Sequence, residues 1–307
     1  MTMPAARLCA IALLVDAATL LAVAQSPKPP TFQASVHTVS LYATVRDRNG
    51  RLVPDLNRDD FEVRDSGRLV EISVFSSEVQ PITVVVLLDM SGSMANRVLR
   101  VRDGAIHFVQ ALRDGDRARI GTFGEELAIS PWLTGDKRRL EQILREELWP
   151  GGSTPLWGSL DAALASLERE DGRRVVLTLT DGVATGTLPG YNITEFDVSR
   201  RVLAGNFMLY AIGLARGDVT PLTAMTPPLD PRLVRLIERT GGAHFELADN
   251  ADLEATFSRV ADELRRQYLI GFTQAATDGR TRKIDVRTRD RALRVRARDS
   301  YVAGGAR

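Results

Sequence analysis

The sequence has little cysteine and little histidine, which excludes several kinds of site. Its 307 residues contain one cysteine, Cys9, and three histidines, His37, His107 and His244. Cys9 falls in a segment that we expect to be removed on export, so the mature chain would have no disulfide, thiol nucleophile or thiolate metal site. The histidines form no HxxxH or HxH pair, so a zinc enzyme is not expected.

The chain also lacks an excess of charge of either sign. Forty basic and thirty-nine acidic side chains leave a formal net charge of +1. This balance excludes a strongly basic protein that binds nucleic acid and an acidic solvating tail. The sequence contains no G-x-S-x-G elbow, P-loop or G-x-G-x-x-G motif. We therefore expect no small-molecule substrate and no enzymatic activity.

Long apolar runs are absent after the first residues, where the pattern predicts an export signal. Arg7 precedes an apolar stretch that ends in the A-x-A cleavage site at 22–24. We expect a signal peptide at 1–24, then a Pro-rich linker at 25–31. The mature protein would be periplasmic, secreted or on the cell surface. The alternative is an uncleaved membrane anchor, the only way in which this chain is expected to contact a membrane.

The remaining chain has three regions that differ in hydrophobic period. Alternating polar and apolar residues, as at 39–45, predict short strands over 32–80. Near-continuous apolar strands such as 82–88 alternate with amphipathic helices over 81–266, which predicts a doubly wound α/β fold with a mainly parallel sheet. Period-two strands return over 267–302. Because neither terminal segment can bury a core alone, we expect both to form one smaller antiparallel β module.

The C-terminal strands are rich in arginine. From Asp278 to Arg307 there are ten basic and four acidic residues. This excess indicates either a surface for an anionic partner, such as lipid headgroups or polysaccharide, or a solvated strand face. Thirty-seven of the forty basic residues in the whole chain are arginine, a general preference that favours the second interpretation.

Oxygen-bearing side chains follow the first buried strand of the central region. Asp89, Ser91 and Ser93 come directly after strand 82–88, and Gly92 is expected to permit the turn between them. Ligands of open parallel sheets bind at the carboxyl ends of the strands, so these three side chains can point at one centre. Carboxylate and hydroxyl oxygens suit a hard cation such as Mg²⁺.

Two further segments are expected to bring oxygen atoms to the same edge of the sheet. The Gly-rich loop 151–154 opens a helix predicted from Leu156, so Thr154 can present its hydroxyl at a helix N-terminus. Asp181 follows the buried strand 175–180. Three loops that all deliver oxygen ligands make an accidental motif much less probable than any one of them alone.

The D-x-S-x-S after the first strand, the threonine of the Gly-rich loop and the later T-D-G resemble the von Willebrand factor type A domain. The resemblance covers about 81–266. It extends to a secreted bacterial group of related proteins through the flanking segments V-R-D-x-x-G-x-x-V-x-x-L and D-F-E-V-x-D-x-G. It implies a doubly wound α/β sheet that carries a metal-ion-dependent adhesion site.

The resemblance also implies a role for each matching residue. Ser91, Ser93 and Thr154 would ligate Mg²⁺, or Mn²⁺ or Ca²⁺, directly through their hydroxyls. Asp89 and Asp181 would act mainly through water or hydrogen bonds. Such a ligand set leaves the cation under-neutralised, so a carboxylate from a partner can complete it. The expected function is metal-dependent adhesion to a protein that presents Asp or Glu.

Residues beside Thr154 are candidates for a rim that contacts the partner, namely Gly152, Ser153 and Trp157. Two other functions are kept open. One is a Mg²⁺-dependent phosphohydrolase that uses Asp89 as nucleophile, although enzymes similar to haloacid dehalogenases need a second Asp where Ser91 stands. The other is a structural module without metal function.

Overall fold

A computed structural model describes residues 38–182, 184–215, 228–248, 252–274 and 277–304. The predicted signal peptide and linker, 1–24 and 25–31, lie outside these residues. The chain divides into the units Met1–Ser35 and Val36–Arg307, and every described residue belongs to the second. Within the described part, no helix combines the length and the apolar character that a membrane crossing requires.

The described elements alternate as the hydrophobic period predicts in the central region. The strands are β1 Thr38–Arg46, β2 Phe61–Asp65, β3 Arg68–Val70, β4 Ile72–Ser76, β5 Ile82–Asp89, β6 Arg117–Phe123, β7 Leu127–Ile129, β8 Arg173–Thr180, β9 Phe207–Leu214, β10 His244–Leu247, β11 Tyr268–Thr273, β12 Thr281–Thr288, β13 Arg294–Arg296 and β14 Ser300–Val302. The helices are α1 Val98–Ala111, α2 Lys137–Glu146, α3 Leu156–Ala165, α4 Glu195–Gly205, α5 Pro231–Arg239 and α6 Leu253–Arg265.

A central six-stranded sheet positions the candidate site. Its order is β10-β9-β8-β5-β6-β7, and every neighbouring pair is parallel except β6 and β7. All residues of β5 and β8 are buried, because both faces of the sheet are covered. The periodicity does not predict β7 and β10, since three or four residues are too few to show a period.

Helices cover both faces of this sheet, and each face has its own apolar core. Val84, Val86 and Leu88 of β5 belong to the core on the side of α1, α2 and α6. Val85 and Leu87 belong to the core on the side of α3, α4 and α5. The alternate residues of one strand thus enter opposite layers, as the strand geometry requires. The predicted doubly wound fold is confirmed.

The two terminal segments form one antiparallel β module, as predicted. It has two four-stranded sheets, in the orders β13-β1-β11-β4 and β14-β12-β2-β3. Strand β1 pairs with both β11 and β13, and β2 pairs with β12, so each sheet contains strands from both ends of the chain. Buried residues of both sheets, such as Leu41 and Val63, share one core, which makes the module a sandwich.

A buried polar network joins the β module to the α/β layers. Glu263 of α6 is fully buried, and its carboxylate accepts hydrogen bonds from the Tyr210 hydroxyl of β9 at 2.7 Å and from Arg46 of β1 at 2.5 Å. Arg296 of β13 also donates to it. Gln267 donates from its amide nitrogen to the Thr44 hydroxyl of β1 at 2.8 Å.

Part of the arginine excess of the C-terminal strands is used inside the molecule. Arg298 donates to the carbonyl oxygens of Ser300, at 2.7 Å, and of Leu203, at 3.1 Å, and thereby joins the module to the end of α4. Burial lowers the pKa of Arg298 to about 10. On the solvated side, Arg287 pairs with Asp285 at 2.7 Å. Some of the excess charge is therefore structural, which neither sequence-based interpretation of these strands included.

Candidate functional site

Asp89 is the last residue of β5, and its side chain is fully buried at the carboxyl edge of the sheet. One carboxylate oxygen accepts a hydrogen bond from the Ser91 backbone N–H at 2.9 Å. The other accepts from the Thr180 hydroxyl at 2.5 Å. Burial raises the pKa of Asp89 to about 6, against the lowering effect of these hydrogen bonds. The carboxylate is held rigidly but is costly to ionise.

The loop after Asp89 turns two hydroxyls toward Asp181. The Ser91 and Ser93 Oγ atoms are 3.2 Å apart, and the Ser93 hydroxyl donates to one oxygen of Asp181 at 2.8 Å. Gly92 begins a 3-10 turn that runs to Arg97, ahead of α1. Its φ is not positive, and a Cβ there would make an ordinary contact of 3.7 Å with the Gly152 carbonyl. Gly92 is compatible with this turn, as expected, but the turn does not depend on a glycine there.

The glycine requirement lies instead in the Gly-rich loop. Gly151 donates its backbone N–H to the Met90 carbonyl at 2.7 Å, and the Gly152 carbonyl accepts from the Gly92 N–H at 3.1 Å. Gly152 has φ +74°, and a Cβ there would lie 2.4 Å from the Glu125 Cα. Only glycine fits this left-handed position against the neighbouring backbone. The loop is thus fixed beside the Ser91 turn.

Thr154 lies two residues before α3 and is 3% exposed. Its backbone N–H donates to the Thr185 hydroxyl at 3.1 Å, and its carbonyl accepts from the Thr185 N–H at 3.1 Å. The loop after β8 therefore binds Thr154 directly. The Met90–Gly92 turn binds the Gly-rich loop that precedes Thr154. The structure brings all five predicted oxygen ligands to one edge of the sheet, although they come from three separate loops.

The donor set fits a small hard cation. Adjacent oxygens around octahedral Mg²⁺ are about 3 Å apart, given ligand distances of about 2.1 Å, and the Ser91 and Ser93 hydroxyls have this separation. In the described part of the chain, no group of three or more His, Cys, Asp or Glu side chains could hold a metal. Any cation bound at this edge would therefore depend on hydroxyls as well as the two carboxylates.

Three residues of the site were not singled out from the sequence. Thr180 bonds to Asp89, and Thr185 bonds to Thr154. Arg97 donates to the second oxygen of Asp181 at 2.9 Å. Thr180 belongs to the T-D-G that marked Asp181, so its position was a usable signal. Nothing in the sequence relates Arg97 or Thr185 to the site, because both reach it through tertiary packing.

The three predicted rim residues differ in exposure. Gly152 and Ser153 are exposed, as a rim requires. Trp157 is 7% exposed and packs in the apolar core of α3, with the Arg232 guanidinium 5.3 Å from the centre of its ring. The structure thus corrects the interpretation of Trp157 as a rim residue, because its helical face points into the core. The exposed tryptophan of this region is Trp149, two residues before the Gly-rich loop.

A cavity of about 740 Å³ opens elsewhere, between α3 and α4. Several of its charged side chains already form ion pairs with one another. Arg201 donates to Asp161 at 2.6 Å, and Arg200 donates to Asp197 at 3.3 Å. It contains none of the predicted ligands, so the oxygen-lined sheet edge remains the candidate site.

The fold and this edge define a doubly wound α/β domain with a hydroxyl- and carboxylate-lined site at the carboxyl ends of its strands. Residues 84–183 match the family model of the von Willebrand factor type A domain. Over about a third of the chain, this match confirms the resemblance that the motifs predicted. A comparison with curated proteins gave no match.

Solved structures with a similar fold come from several bacteria. A von Willebrand factor type A protein from Catenulispora acidiphila is 12% identical, with a TM-score of 0.49 over 90% of this chain and 74% of that one. The vWF domain of the pilus tip protein Mfa5 from Porphyromonas gingivalis is 14% identical, with a TM-score of 0.47 over 60% of this chain and 95% of that one.

The PilB minor pilin from Streptococcus sanguinis is 14% identical, with a TM-score of 0.48 over 61% of this chain. This chain spans 62% of that pilin's length. At these identities and TM-scores, the likenesses say nothing about what this chain binds.

Proposed function

We propose that this chain is an exported protein-binding module, in which a divalent cation at the Asp89 edge receives a carboxylate from a protein partner. Ser91, Ser93 and Thr154 would hold the cation directly, with Asp89 and Asp181 behind them. A bound Mg²⁺ or Mn²⁺ would supply an acceptor position for an Asp or Glu oxygen. The observation that supports this most strongly is that the Gly-rich loop and Asp181 both contact the turn that carries Ser91 and Ser93.

The contacts of the two carboxylates support binding rather than catalysis. Both oxygens of Asp89 accept hydrogen bonds and the residue is fully buried, so it is poorly placed to attack a phosphoryl group. Ser91 stands where a haloacid dehalogenase type of enzyme needs its general acid. The Ser93 hydroxyl donates its proton in a hydrogen bond to Asp181. No histidine lies among these residues. The arrangement contains no activated nucleophile.

The metal part of this proposal is tested by removing one ligand hydroxyl. In Thr154→Ala, Mn²⁺ affinity measured by isothermal titration should fall at least about tenfold, the size of effect typical for loss of a group that supports a metal. The fold should survive, because Thr154 lies on a loop above the sheet and its backbone contacts to Thr185 need no side chain of its own.

Ser166→Ala is the matched control, since its hydroxyl bonds only within the last turn of α3, to the Ala163 carbonyl at 2.7 Å. Mn²⁺ affinity should be unchanged in this variant. Equal affinity in Thr154→Ala and the parent would contradict the site assignment.

The partner part is tested with the mature chain as bait for envelope extract, with and without EDTA. Proteins retained by the parent should be released by EDTA and should not be retained by Thr154→Ala. Retention that is indifferent to both changes would place recognition on another surface, and the module would then act without metal.

A further inference from the structure

Arg97 is a buried cation inside the candidate site. It ends the turn that begins at Gly92, and its side chain is 9% exposed. One guanidinium nitrogen donates to Asp181 at 2.9 Å, and another donates to the Ala215 carbonyl after β9 at 2.9 Å. These contacts fix the guanidinium from two sides, so its charge stays beside Asp181.

Asp181 lies between this cation and a predicted metal ligand. Its second oxygen accepts from the Ser93 hydroxyl at 2.8 Å, while only 1% of its side chain is exposed. A buried ion pair adds little net stability, because the desolvation of both charges offsets their attraction. Stability alone is therefore a weak explanation for placing an arginine here.

Charges in such a buried place act strongly on one another. Asp89, Asp181 and Arg97 sum to −1 when Asp89 is ionised. A divalent cation would raise this sum to +1, whereas the two carboxylates without Arg97 would leave it at zero. The positive charge of Arg97 thus lowers the affinity of the site for a divalent cation. Once the cation is bound, the same charge makes the site more attractive to an anion.

We infer that Arg97 is a positioning residue that holds Asp181, weakens divalent-cation binding and increases the positive charge offered to a partner carboxylate. This inference rests on the proposed function, because it takes the Asp89 edge as the metal site. It gives a specific expectation: removal of this positive charge should tighten metal binding, whereas removal of a merely structural residue should loosen it.

The test is a titration of the full chain with Mn²⁺ alone. Arg97→Gln should bind Mn²⁺ about tenfold more tightly than the parent, the size of effect that one neighbouring charge has on a buried group. Arg97→Met is a second neutral variant that keeps the apolar stem, in case the glutamine variant does not fold. Arg97→Lys keeps the charge and should stay within about twofold of the parent.

Arg102→Gln is the matched control for charge alone. Arg102 lies on α1, where it pairs with the half-exposed Asp103 at 3.1 Å, and its charge is screened by solvent. Its loss should leave Mn²⁺ affinity unchanged.

The outcomes separate this inference from the proposed function. If a folded Arg97→Gln or Arg97→Met binds Mn²⁺ no more tightly than the parent, while Asp89→Ala abolishes binding, only the role of Arg97 is overturned. If Asp89→Ala binds Mn²⁺ as well as the parent does, or if no variant binds it, the metal site and the inference both fail.

Discussion

At the scale of one residue, the burial of Asp89 makes its ionisation unfavourable. A carboxylate at the end of a fully buried strand loses its hydration, and two hydrogen bonds replace only part of it. Its pKa is therefore raised from 3.8 to about 6 by burial. A nearby divalent cation would favour the ionised form, so metal binding and deprotonation of Asp89 are linked.

This raised pKa predicts how the metal-free protein responds to pH. Between pH 3.8 and 6 the folded state binds more protons than the unfolded state, so the Asp89 contribution to the free energy of unfolding falls as pH rises through this window. The shift of about two pKa units corresponds to about 3 kcal/mol. In EDTA, the free energy of unfolding of Asp89→Asn relative to that of the parent should therefore be higher at pH 8 than at pH 4, by up to this amount.

Urea unfolding at the two pH values measures the effect. Asp103→Asn is the control for loss of a carboxylate that is not buried, because Asp103 is half-exposed on α1; it should change the free energy of unfolding by less than about 1 kcal/mol at both pH values. If the free energies of unfolding of Asp89→Asn and the parent differ by the same amount at both pH values, burial does not raise the pKa of Asp89.

The element that matters most for the site is the loop 151–154, which joins the end of α2 to the start of α3. Its shape is set by two backbone hydrogen bonds to the Asp89 turn and by the left-handed conformation of Gly152. The loops that carry Ser91 and Thr154 are joined by this backbone pairing. A fault in the loop should therefore damage the site without touching a predicted ligand.

Gly152→Ala tests the loop. A methyl group would meet the Glu125 backbone at 2.4 Å and impose a left-handed alanine, so we expect a loss of about 1–3 kcal/mol in the free energy of unfolding. Mn²⁺ affinity should fall at least about tenfold, since Thr154 would move with the loop.

Gly172→Ala separates loop geometry from general strain. Gly172 also has a positive φ, +79°, but a Cβ there meets nothing within 4 Å. It should be destabilised by about 1 kcal/mol, with unchanged metal affinity. Equal metal affinity in the two glycine variants would refute the positioning role of the loop.

At the scale of the whole molecule, the α/β layers and the β module share buried charges. Glu263 accepts hydrogen bonds from one residue of β9 and from two arginines of the module. Because this acid is fully buried, its partners would be left uncompensated by its removal. The module is therefore joined to the α/β layers by polar contacts as well as by strand pairing.

Glu263→Gln should destabilise the protein by about 3 kcal/mol, because it leaves two arginines facing a neutral amide. Amide exchange should accelerate in β1 and β13 more than in β5. Glu141→Gln removes the partner of the half-exposed Arg145 at 3.7 Å and should change the free energy of unfolding by less than about 1 kcal/mol. Unchanged exchange in β1 after Glu263→Gln would contradict a coupling role for this carboxylate.

The sequence by itself determined the architecture of this protein and the residues that were proposed for its site. Continuous apolar runs such as 82–88 and 174–180 arise only where a strand is covered on both faces, and the alternation at 39–45 requires one buried face. These local patterns therefore predicted the parallel sheet and the separate β module. The D-x-S-x-S, Gly-rich and T-D-G segments are also local, so they could be recognised before any contact was known.

Only the tertiary structure decided which side chains surround those segments. Arg97 and Thr185 reach the site from positions that no period marks, and Trp157 packs inward because α3 turns that face to the core. The position that requires a glycine is Gly152, where the approach of Glu125 leaves no room for a side chain. Contacts between residues far apart in the chain depend on how the layers pack, and a hydrophobic period carries no information about them.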